Sequence, residues 1–182
     1  LFQPAQLTAG FDARLTPRLS LAFDLGWHRW SVYENPAAHI DLVLDVGSFN
    51  DLVNIPPPLA LPDPRFHDIA IPRLGVEYLI ADGPRLSLSG RAGYGYEPSP
   101  APEQVGETNF IDGHKHTLSA GAGLTMAHLG SIVPLPVSFD VYAALTVLAG
   151  RSHAKLSPVD AIGDYRSAGH VWQGGMTTSW RF

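Results

Sequence analysis

The chain has 182 residues, a formal net charge of -5 and no cysteine. Without cysteine it has no disulfide framework, no thiolate metal ligand and no cysteine nucleophile, and its mild acidity argues against a nucleic-acid partner, which requires a basic face. Charged residues make up only 16% of the chain, below the roughly 25% that is typical of soluble domains. The composition therefore argues against an ordinary soluble domain.

The hydropathy of the chain limits how it could cross a membrane. No segment approaches the ~20 consecutive apolar residues of a membrane-spanning helix, whereas a spanning strand requires only about 9–11 residues. If the chain crosses a membrane, we therefore expect it to cross with strands. Its start, LFQPAQLTAG, lacks the basic and apolar regions of a signal peptide, so we expect that a signal was removed or that the sequence begins inside a larger protein.

Apolar and polar residues alternate along several stretches, which is the pattern of a strand with one apolar and one polar face. In chain order these stretches are residues 6–15, 19–28, 72–80, 86–96, 118–126, 137–147 and 172–182. Thr16-Pro17 and Asp82-Gly83-Pro84 make tight turns between neighbouring stretches. No stretch of comparable length has helical periodicity. The sequence therefore predicts about seven antiparallel strands.

The connections between these stretches alternate in length. The short connections are residues 16–17, 82–84 and 129–136, and the long ones are 34–68, 97–113 and 151–168. Transmembrane barrels have short periplasmic turns and long outer loops. A soluble sandwich or lipocalin-like barrel, the main alternative, also has alternating strands but no reason for this alternation of loop length. We therefore predict an all-β fold, an antiparallel transmembrane β-barrel that occupies residues 1–182 without a separate soluble domain.

Aromatic side chains lie near the ends of the predicted strands, as they do where rings occupy the two membrane interfaces. The predicted interface aromatics are Trp27, Trp30, Tyr33, Tyr94, Tyr96, Trp172 and Trp180. The last strand ends at Phe182, with Trp180 on the same face, and this ending resembles the assembly signal of outer-membrane barrels. We therefore expect a bacterial outer-membrane location, a periplasmic C-terminus, contact with outer-membrane lipid and lipopolysaccharide, and recognition by the barrel-assembly machinery.

Several short motifs, taken in order, resemble one family of outer-membrane channels. They are LGWHRWS at 25–31, RLGVEY at 73–78, RAGYGY at 91–96 with EPSP after it, and SAGAGL at 119–124. In this order and spacing the chain resembles the C-terminal half of the long-chain fatty acid and aromatic hydrocarbon transporter family (FadL/TodX-like). The resemblance covers nearly the whole chain.

The resemblance implies a fourteen-stranded barrel with an N-terminal plug, of which this chain would supply about the last half. Because bacterial single-chain barrels have even strand counts, an odd count predicts that a missing N-terminal half or another chain completes the barrel. The alternative is a small eight-stranded barrel with a further strand within residues 41–54. The plug and the lateral exit of the family would lie in the absent half, so their residues are not carried over.

The resemblance also implies passive passage of hydrophobic molecules such as long-chain fatty acids or hydrocarbons, which requires no catalytic residue and no cofactor. The alternative function is a structural or docking barrel in an outer-membrane protein complex. By strand parity the predicted lumen-facing charges are Asp12, Arg14, Asp24, Arg73, Glu77, Arg91 and Asp140. They predict an internal ion-pair ladder, or alternatively a contact between Arg73 or Arg91 and a substrate carboxylate.

The long connection 34–68 contains an apolar, proline-stiffened segment, which is unusual for an exposed loop. The residues concerned are Ile55, Pro56, Pro57, Leu59 and Leu61. They are expected either to pack on neighbouring loops or to form the surface where substrate enters.

Two other sets of residues contain residue types found in metal sites and in hydrolases. His114 and His116 share a strand face but lack an evident third ligand, so we predict no metal site. Ser119, His116 and Asp112 contain the residue types of a hydrolase, but no motif supports that activity. We therefore predict that the protein is not an enzyme.

Overall fold

The computed structural model describes residues 2–34, 63–106, 108–127, 136–158 and 160–180. The strands are β1 (Ala5–Thr16), β2 (Leu19–Arg29), β3 (Ile69–Asp82), β4 (Leu86–Glu97), β5 (Lys115–Met126), β6 (Val137–His153) and β7 (Tyr165–Trp180). All seven predicted strands are present, and the predicted all-β, antiparallel fold is confirmed. The described ranges contain no helix with the length and apolarity needed to cross a bilayer.

Two strands are longer than the alternation of residues predicted. β6 continues to His153 and β7 begins at Tyr165, although the pattern extends only over 137–147 and 172–182. The register between these strands shifts between Leu148 and Arg151. A β-bulge places an extra residue in one strand and interrupts its alternation, so the end of β6 does not continue the pattern.

The seven strands form one sheet in the order in which they occur in the chain. Each strand pairs antiparallel with the next one, from β1–β2 to β6–β7. Up-and-down barrels have the same meander of neighbouring strands. Within the described residues the sheet is open, because β1 and β7 are its edges and do not pair with each other.

The register aligns side chains of one kind across the whole sheet. One row of directly paired residues is Phe11, Phe23, Leu74, Tyr94, Leu118, Leu145 and Trp172. Another row is Arg14, Ser20, Glu77, Arg91, Gly121, Tyr142 and Gly175. The first row belongs to the face that we call the apolar face, and the second to the opposite, polar face. The division predicted from sequence parity therefore continues through all seven strands.

The apolar face is not covered by other parts of the described chain. Leu7, Phe11 and Met176 expose 67%, 63% and 73% of their surface. Apart from proline and glycine, only four apolar residues of the described ranges are buried: Ile69, Ile71, Ala101 and Val137. A soluble sandwich would bury its apolar face against a second layer. The structure provides no such layer within the described residues, and an exposed apolar face of this kind marks an interaction surface.

The two ends of the sheet differ in their connections. At one end, the β1–β2 turn is closed by Thr16, whose Oγ1 accepts hydrogen bonds from the N–H groups of Arg18 at 3.2 Å and Leu19 at 3.0 Å. At the other end, the β4–β5 and β6–β7 connections pack together and bury Ser99, Gln104 and His153 to 1–2% exposure. We call these packed connections the loop layer.

Candidate functional site

The polar face of the sheet forms a groove with a volume of about 850 Å³. All seven of the charges that were predicted to face a lumen line it: Asp12, Arg14, Asp24, Arg73, Glu77, Arg91 and Asp140. They come from β1, β2, β3, β4 and β6, so the sheet register brings distant parts of the sequence to one surface. The groove is the candidate functional site.

Three of these charges form an ion-paired cluster centred on Arg91. Arg91 Nε lies 2.5 Å from Glu77 Oε2, and Arg91 Nη1 lies 2.6 Å from Asp140 Oδ1. Glu77 is the register partner of Arg91 on β3, whereas Asp140 lies on β6 and is reached across β5. The three side chains are 40–47% exposed, so each ion pair contributes modestly to stability. The cluster is one part of the expected ion-pair ladder.

Glycine residues make room for these flat-lying side chains. A Cβ atom at Gly123 on β5 would lie 2.7 Å from Asp140 Oδ1, 2.9 Å from Ser89 Oγ and 3.2 Å from Arg91 Nη2. At Gly175 on β7 it would contact the ring of Tyr142. Large polar side chains therefore lie along the wall over glycines of neighbouring strands, and the groove stays open instead of filling with side chains.

The other four predicted charges do not continue the ladder. Asp12, Arg14, Asp24 and Arg73 form no ion pair within 4.0 Å with any described residue. Asp24 and Arg73 are register partners on β2 and β3 but remain separate. Of the two arginines considered for a substrate carboxylate, Arg91 is neutralised and Arg73 has no carboxylate partner among the described residues.

Six of the seven predicted interface aromatics fall into two groups, and the seventh, Tyr96, lies near the end of β4 beside His114. Trp27, Tyr94, Trp172 and Trp180 lie on the apolar face and expose 39–67% of their surface. Trp30 and Tyr33 follow the end of β2 and instead join an aromatic cluster with Phe2, Phe66 and Phe110. In this cluster the rings of Tyr33 and Phe66 are stacked at 5.0 Å between centroids. The cluster was not foreseen, because Phe66 and Phe110 are remote from β2 in sequence.

Tyr94 and Tyr96 are hydrogen-bonded to His116 and His114, the two histidines that share a strand face. The Tyr94 hydroxyl lies 2.8 Å from His116 Nδ1, and the Tyr96 hydroxyl lies 3.1 Å from His114 Nδ1. No group of three His, Cys, Asp or Glu side chains in the described ranges is arranged to hold a metal ion.

The residues of the hydrolase-like set are not assembled. His116 and Ser119 are three residues apart on β5, so they point to opposite faces of the sheet. Asp112 accepts a hydrogen bond from Ser99 Oγ at 2.9 Å and lies 3.0 Å from Lys115 Nζ. The described geometry therefore offers no Ser–His–Asp relay.

The loop layer lies at the end of the sheet opposite the β1–β2 turn, and its contacts were not predicted from the sequence. The Gln104 N–H donates to His153 Nδ1 at 3.1 Å, which ties the β4–β5 connection to the end of β6. Lys155 Nζ donates to the carbonyl oxygens of Gly106 and Thr108, both at 2.7 Å, and lies 3.8 Å from Asp160 Oδ1. The side chains of Lys155 and Asp160 are only 3% exposed. Loops have no periodic residue pattern from which these contacts could be predicted.

Two loop carboxylates are held in their ionised form. The Gly163 N–H, at 2.7 Å, is the main group that holds the pKa of Asp160 below its usual value, and Asn109 and Lys155 lower it further. The backbone N–H of Ser31, at 2.9 Å, likewise lowers the pKa of Asp68, with the Ser31 side chain adding to the effect. Both carboxylates therefore act as fixed anchors of their loops at neutral pH.

Some predicted features lie outside the described residues. They are the apolar segment with Ile55, Pro56, Pro57, Leu59 and Leu61, the further strand within 41–54, and the terminal residue Phe182. The roles expected for these residues remain predictions.

Comparison with known proteins extends the fold assignment. A crystal structure of a FadL homologue from Pseudomonas aeruginosa superposes on this chain with a TM-score of 0.58 at 19% sequence identity. The match covers 96% of this chain and 34% of that chain, so this chain spans about a third of the length of that protein. No family model and no curated protein matches the sequence. The resemblance to this transporter family is thus confirmed at the level of the fold.

Proposed function

We propose that this chain forms part of the wall of an outer-membrane channel for passive uptake of hydrophobic molecules, such as long-chain fatty acids or hydrocarbons. The observation that carries the proposal is the difference between the two faces of the sheet. The apolar face is exposed, and the polar face lines a groove of about 850 Å³. The shared fold with a FadL homologue supports it.

The dimensions of the apolar face suit a bilayer. On β7, exposed tryptophans stand at both limits of a nine-residue stretch, Trp172 and Trp180, with Met176 between them. A tilted membrane strand requires about 9–11 residues, and aromatic rings flank its apolar band. Outer-membrane lipid would cover this face and remove its apolar surface from water.

The edges of the sheet require further strands. β1 and β7 have no partner on their outer sides among the described residues, and unpaired backbone groups are too costly to leave in hydrocarbon. In the proposed channel they pair with strands outside this sequence, from the rest of the polypeptide or from another chain. The long connections face the cell exterior with its lipopolysaccharide, and the short turns and the C-terminus face the periplasm, where the barrel-assembly machinery reads Trp180 and Phe182.

Arg91 and Arg73 have different roles in the groove of the proposed channel. Arg91 ties β3, β4 and β6 together through Glu77 and Asp140 and so keeps the wall in shape. Arg73 has no carboxylate partner among the described residues and is the cation that a substrate carboxylate would meet. Transport then proceeds down the gradient of the hydrophobic solute, without any covalent step.

Uptake by cells that produce the protein tests this function. Cells with and without it are given a labelled long-chain fatty acid, a labelled aromatic hydrocarbon and a labelled small sugar. We expect the protein to accelerate entry of at least one hydrophobic compound and to leave sugar entry unchanged. An equal gain for the sugar would indicate a general pore, and no gain for either hydrophobic compound would refute the proposal.

The alternative function, a docking barrel, is supported by the loop layer. Its buried contacts, such as Gln104 N to His153 Nδ1 and Lys155 Nζ to Gly106 O, pre-order a surface without any ligand. A docking barrel predicts that cross-linking in whole cells joins the loop layer to another envelope protein while uptake of all three compounds stays unchanged.

A further inference from the structure

A second cavity of about 270 Å³ lies at the loop end of the sheet, where four segments meet. Its polar lining consists of Arg151, His67, His114 and Ser99, and none of its described lining residues is an aspartate or glutamate. The chain as a whole is acidic, with a net charge of -5. A cavity with a guanidinium, two imidazoles and no carboxylate in its lining is therefore a local exception.

The β-bulge of β6 forms one wall of this cavity. The register shift falls between Leu148 and Arg151, and the cavity is lined by Ala149, Gly150 and Arg151. A bulge redirects the side chains that follow it and is frequent beside functional sites. The same irregularity that interrupts the alternation of β6 thus directs Arg151 into the cavity.

Arg151 is anchored but not neutralised. Its Nη1 donates to Ala101 O at 2.8 Å and contacts Ser99 Oγ at 3.4 Å. Within the described part of the chain, no carboxylate lies within 4.0 Å of its guanidinium. A guanidinium has five N–H donors in a rigid fork, so most of them remain available to a ligand.

The hydrogen bonds of His114 define which of its nitrogens is a donor. The Ser99 N–H donates to His114 Nδ1 at 3.2 Å, so in the neutral ring Nδ1 is the acceptor and Nε2 carries the proton. The nearby carboxylate of Asp112 is paired with Lys115 Nζ at 3.0 Å. It therefore opposes the positive charge of the cavity less than a free carboxylate would.

We propose that this cavity binds a phosphate group. Arginine is the residue best matched to the tetrahedral oxyanion, and the imidazoles of His67 and His114 line the same cavity. No lining residue of this cavity lines the groove, so the site is separate from the proposed transport path and does not depend on it. Either free phosphate or the phosphate of a glycolipid headgroup supplies this chemistry.

Calorimetric titration of the detergent-solubilised protein with inorganic phosphate and with sulfate tests the proposal. We expect both anions to bind, and Arg151→Gln to weaken them by about tenfold or more, since a hydrogen bond to a charged group is lost. Arg18→Gln, at the opposite end of the sheet in the β1–β2 turn, is the matched control and should leave affinity unchanged. Equal binding to the wild type and Arg151→Gln would overturn the proposal.

A second variant is required because Arg151 also donates a hydrogen bond to Ala101 O, so its replacement can disturb the local fold. His67→Leu keeps that contact and removes one polar side chain from the cavity lining, so it should weaken sulfate binding severalfold at a single neutral pH. Folded His67→Leu protein that binds sulfate as tightly as the wild type would contradict the proposed site.

The source of the phosphate is decided by vesicle binding. Phosphatidylcholine vesicles that contain lipopolysaccharide with phosphorylated lipid A are compared with vesicles whose lipid A has been dephosphorylated. Preference for the phosphorylated vesicles that disappears in Arg151→Gln assigns the site to the lipid headgroup. Anion binding in solution without such a preference assigns it to free phosphate. The absence of both kinds of binding refutes the site.

Discussion

The guanidinium of Arg91 on β4 reaches over β5 and lies 2.6 Å from the carboxylate of Asp140 on β6, measured from Nη1 to Oδ1. This contact passes over Gly123 of β5, where a Cβ atom would lie 2.7 Å from the same carboxylate oxygen. Strands that are not hydrogen-bonded to each other are therefore linked through side chains on the polar face. The link depends on Gly123, because a side chain at this position would occupy the space of the Asp140 carboxylate.

Replacing this glycine should weaken the link. We expect Gly123→Ala to displace the side-chain ends of Arg91 and Asp140 and to lower the free energy of unfolding by under about 1 kcal/mol, because these ends can move and the ion pair is partly exposed. The matched control is Gly75→Ala on the same face, where the new Cβ would lie 3.8 Å from Ala22 Cβ in ordinary contact. Denaturant unfolding in detergent micelles measures both. Equal stabilities of the two variants would show that the close approach is unimportant.

The ion pair between Arg91 and Asp140 should contribute little to the free energy of unfolding. A double-mutant cycle with Arg91→Gln and Asp140→Asn should give a coupling free energy of under about 1 kcal/mol, because both side chains are 40–47% exposed. The coupling should decrease further as salt is added. Arg73→Gln with Asp140→Asn is the control cycle and should show no coupling. A large, salt-independent coupling would mean that the cluster is desolvated in the folded protein.

Lipid contact predicts unequal effects of a charge on the two faces of β6. Val141 lies on the apolar face and is 48% exposed, whereas Ala144 lies on the polar face between Ser119 and Gln173. We expect Val141→Arg to destabilise the folded protein in lipid vesicles by about 2–4 kcal/mol, and Ala144→Arg to have a much smaller effect. Unfolding in vesicles, followed by gel mobility with and without heating, measures both. Similar effects of the two variants would argue against a membrane-spanning strand.

Lys155 should be the most sensitive residue of the loop layer. Lys155→Met leaves the carbonyls of Gly106 and Thr108 and the carboxylate of Asp160 without their cation, and the side chains of both Lys155 and Asp160 are 3% exposed. Removing one partner of a buried pair costs about 3–5 kcal/mol. We expect faster hydrogen exchange in the segments around Gly106 and Gly163, with the strands unaffected. Lys115→Met, whose side chain is 32% exposed, is the control and should change exchange much less.

The loop layer should also loosen in acid. Because the pKa of Asp160 is lowered in the folded state, its ionised form stabilises the loop above the ordinary aspartate value and this contribution is lost as the pH falls below about 4. We expect protease cleavage of the β6–β7 connection to increase in that range. Asp160→Asn should make cleavage less dependent on pH, whereas Asp82→Asn, in the opposite turn, should not. An unchanged pH profile in Asp160→Asn would locate the acid sensitivity elsewhere.

The sequence by itself determined the strands, their two faces and the set of charges on the polar face. Each of these follows from the period of two along a strand, which is a local property. The prediction was therefore correct for β1 to β5 within a few residues, and all seven charges, from Asp12 to Asp140, line one groove. It was too short for β6, where the bulge near Arg151 interrupts the alternation, and for β7, which begins at Tyr165.

Only the tertiary structure decided which groups meet. Arg91 pairs with Glu77 and Asp140 while Arg73 stays apart from Asp24, its register partner. The loop layer likewise brings Gln104 to His153, residues far apart in the chain. Such contacts depend on strand register and on the space that a glycine such as Gly123 leaves. Parity assigns a side chain to a face, but its partner depends on distances across several strands, which no single stretch of sequence contains.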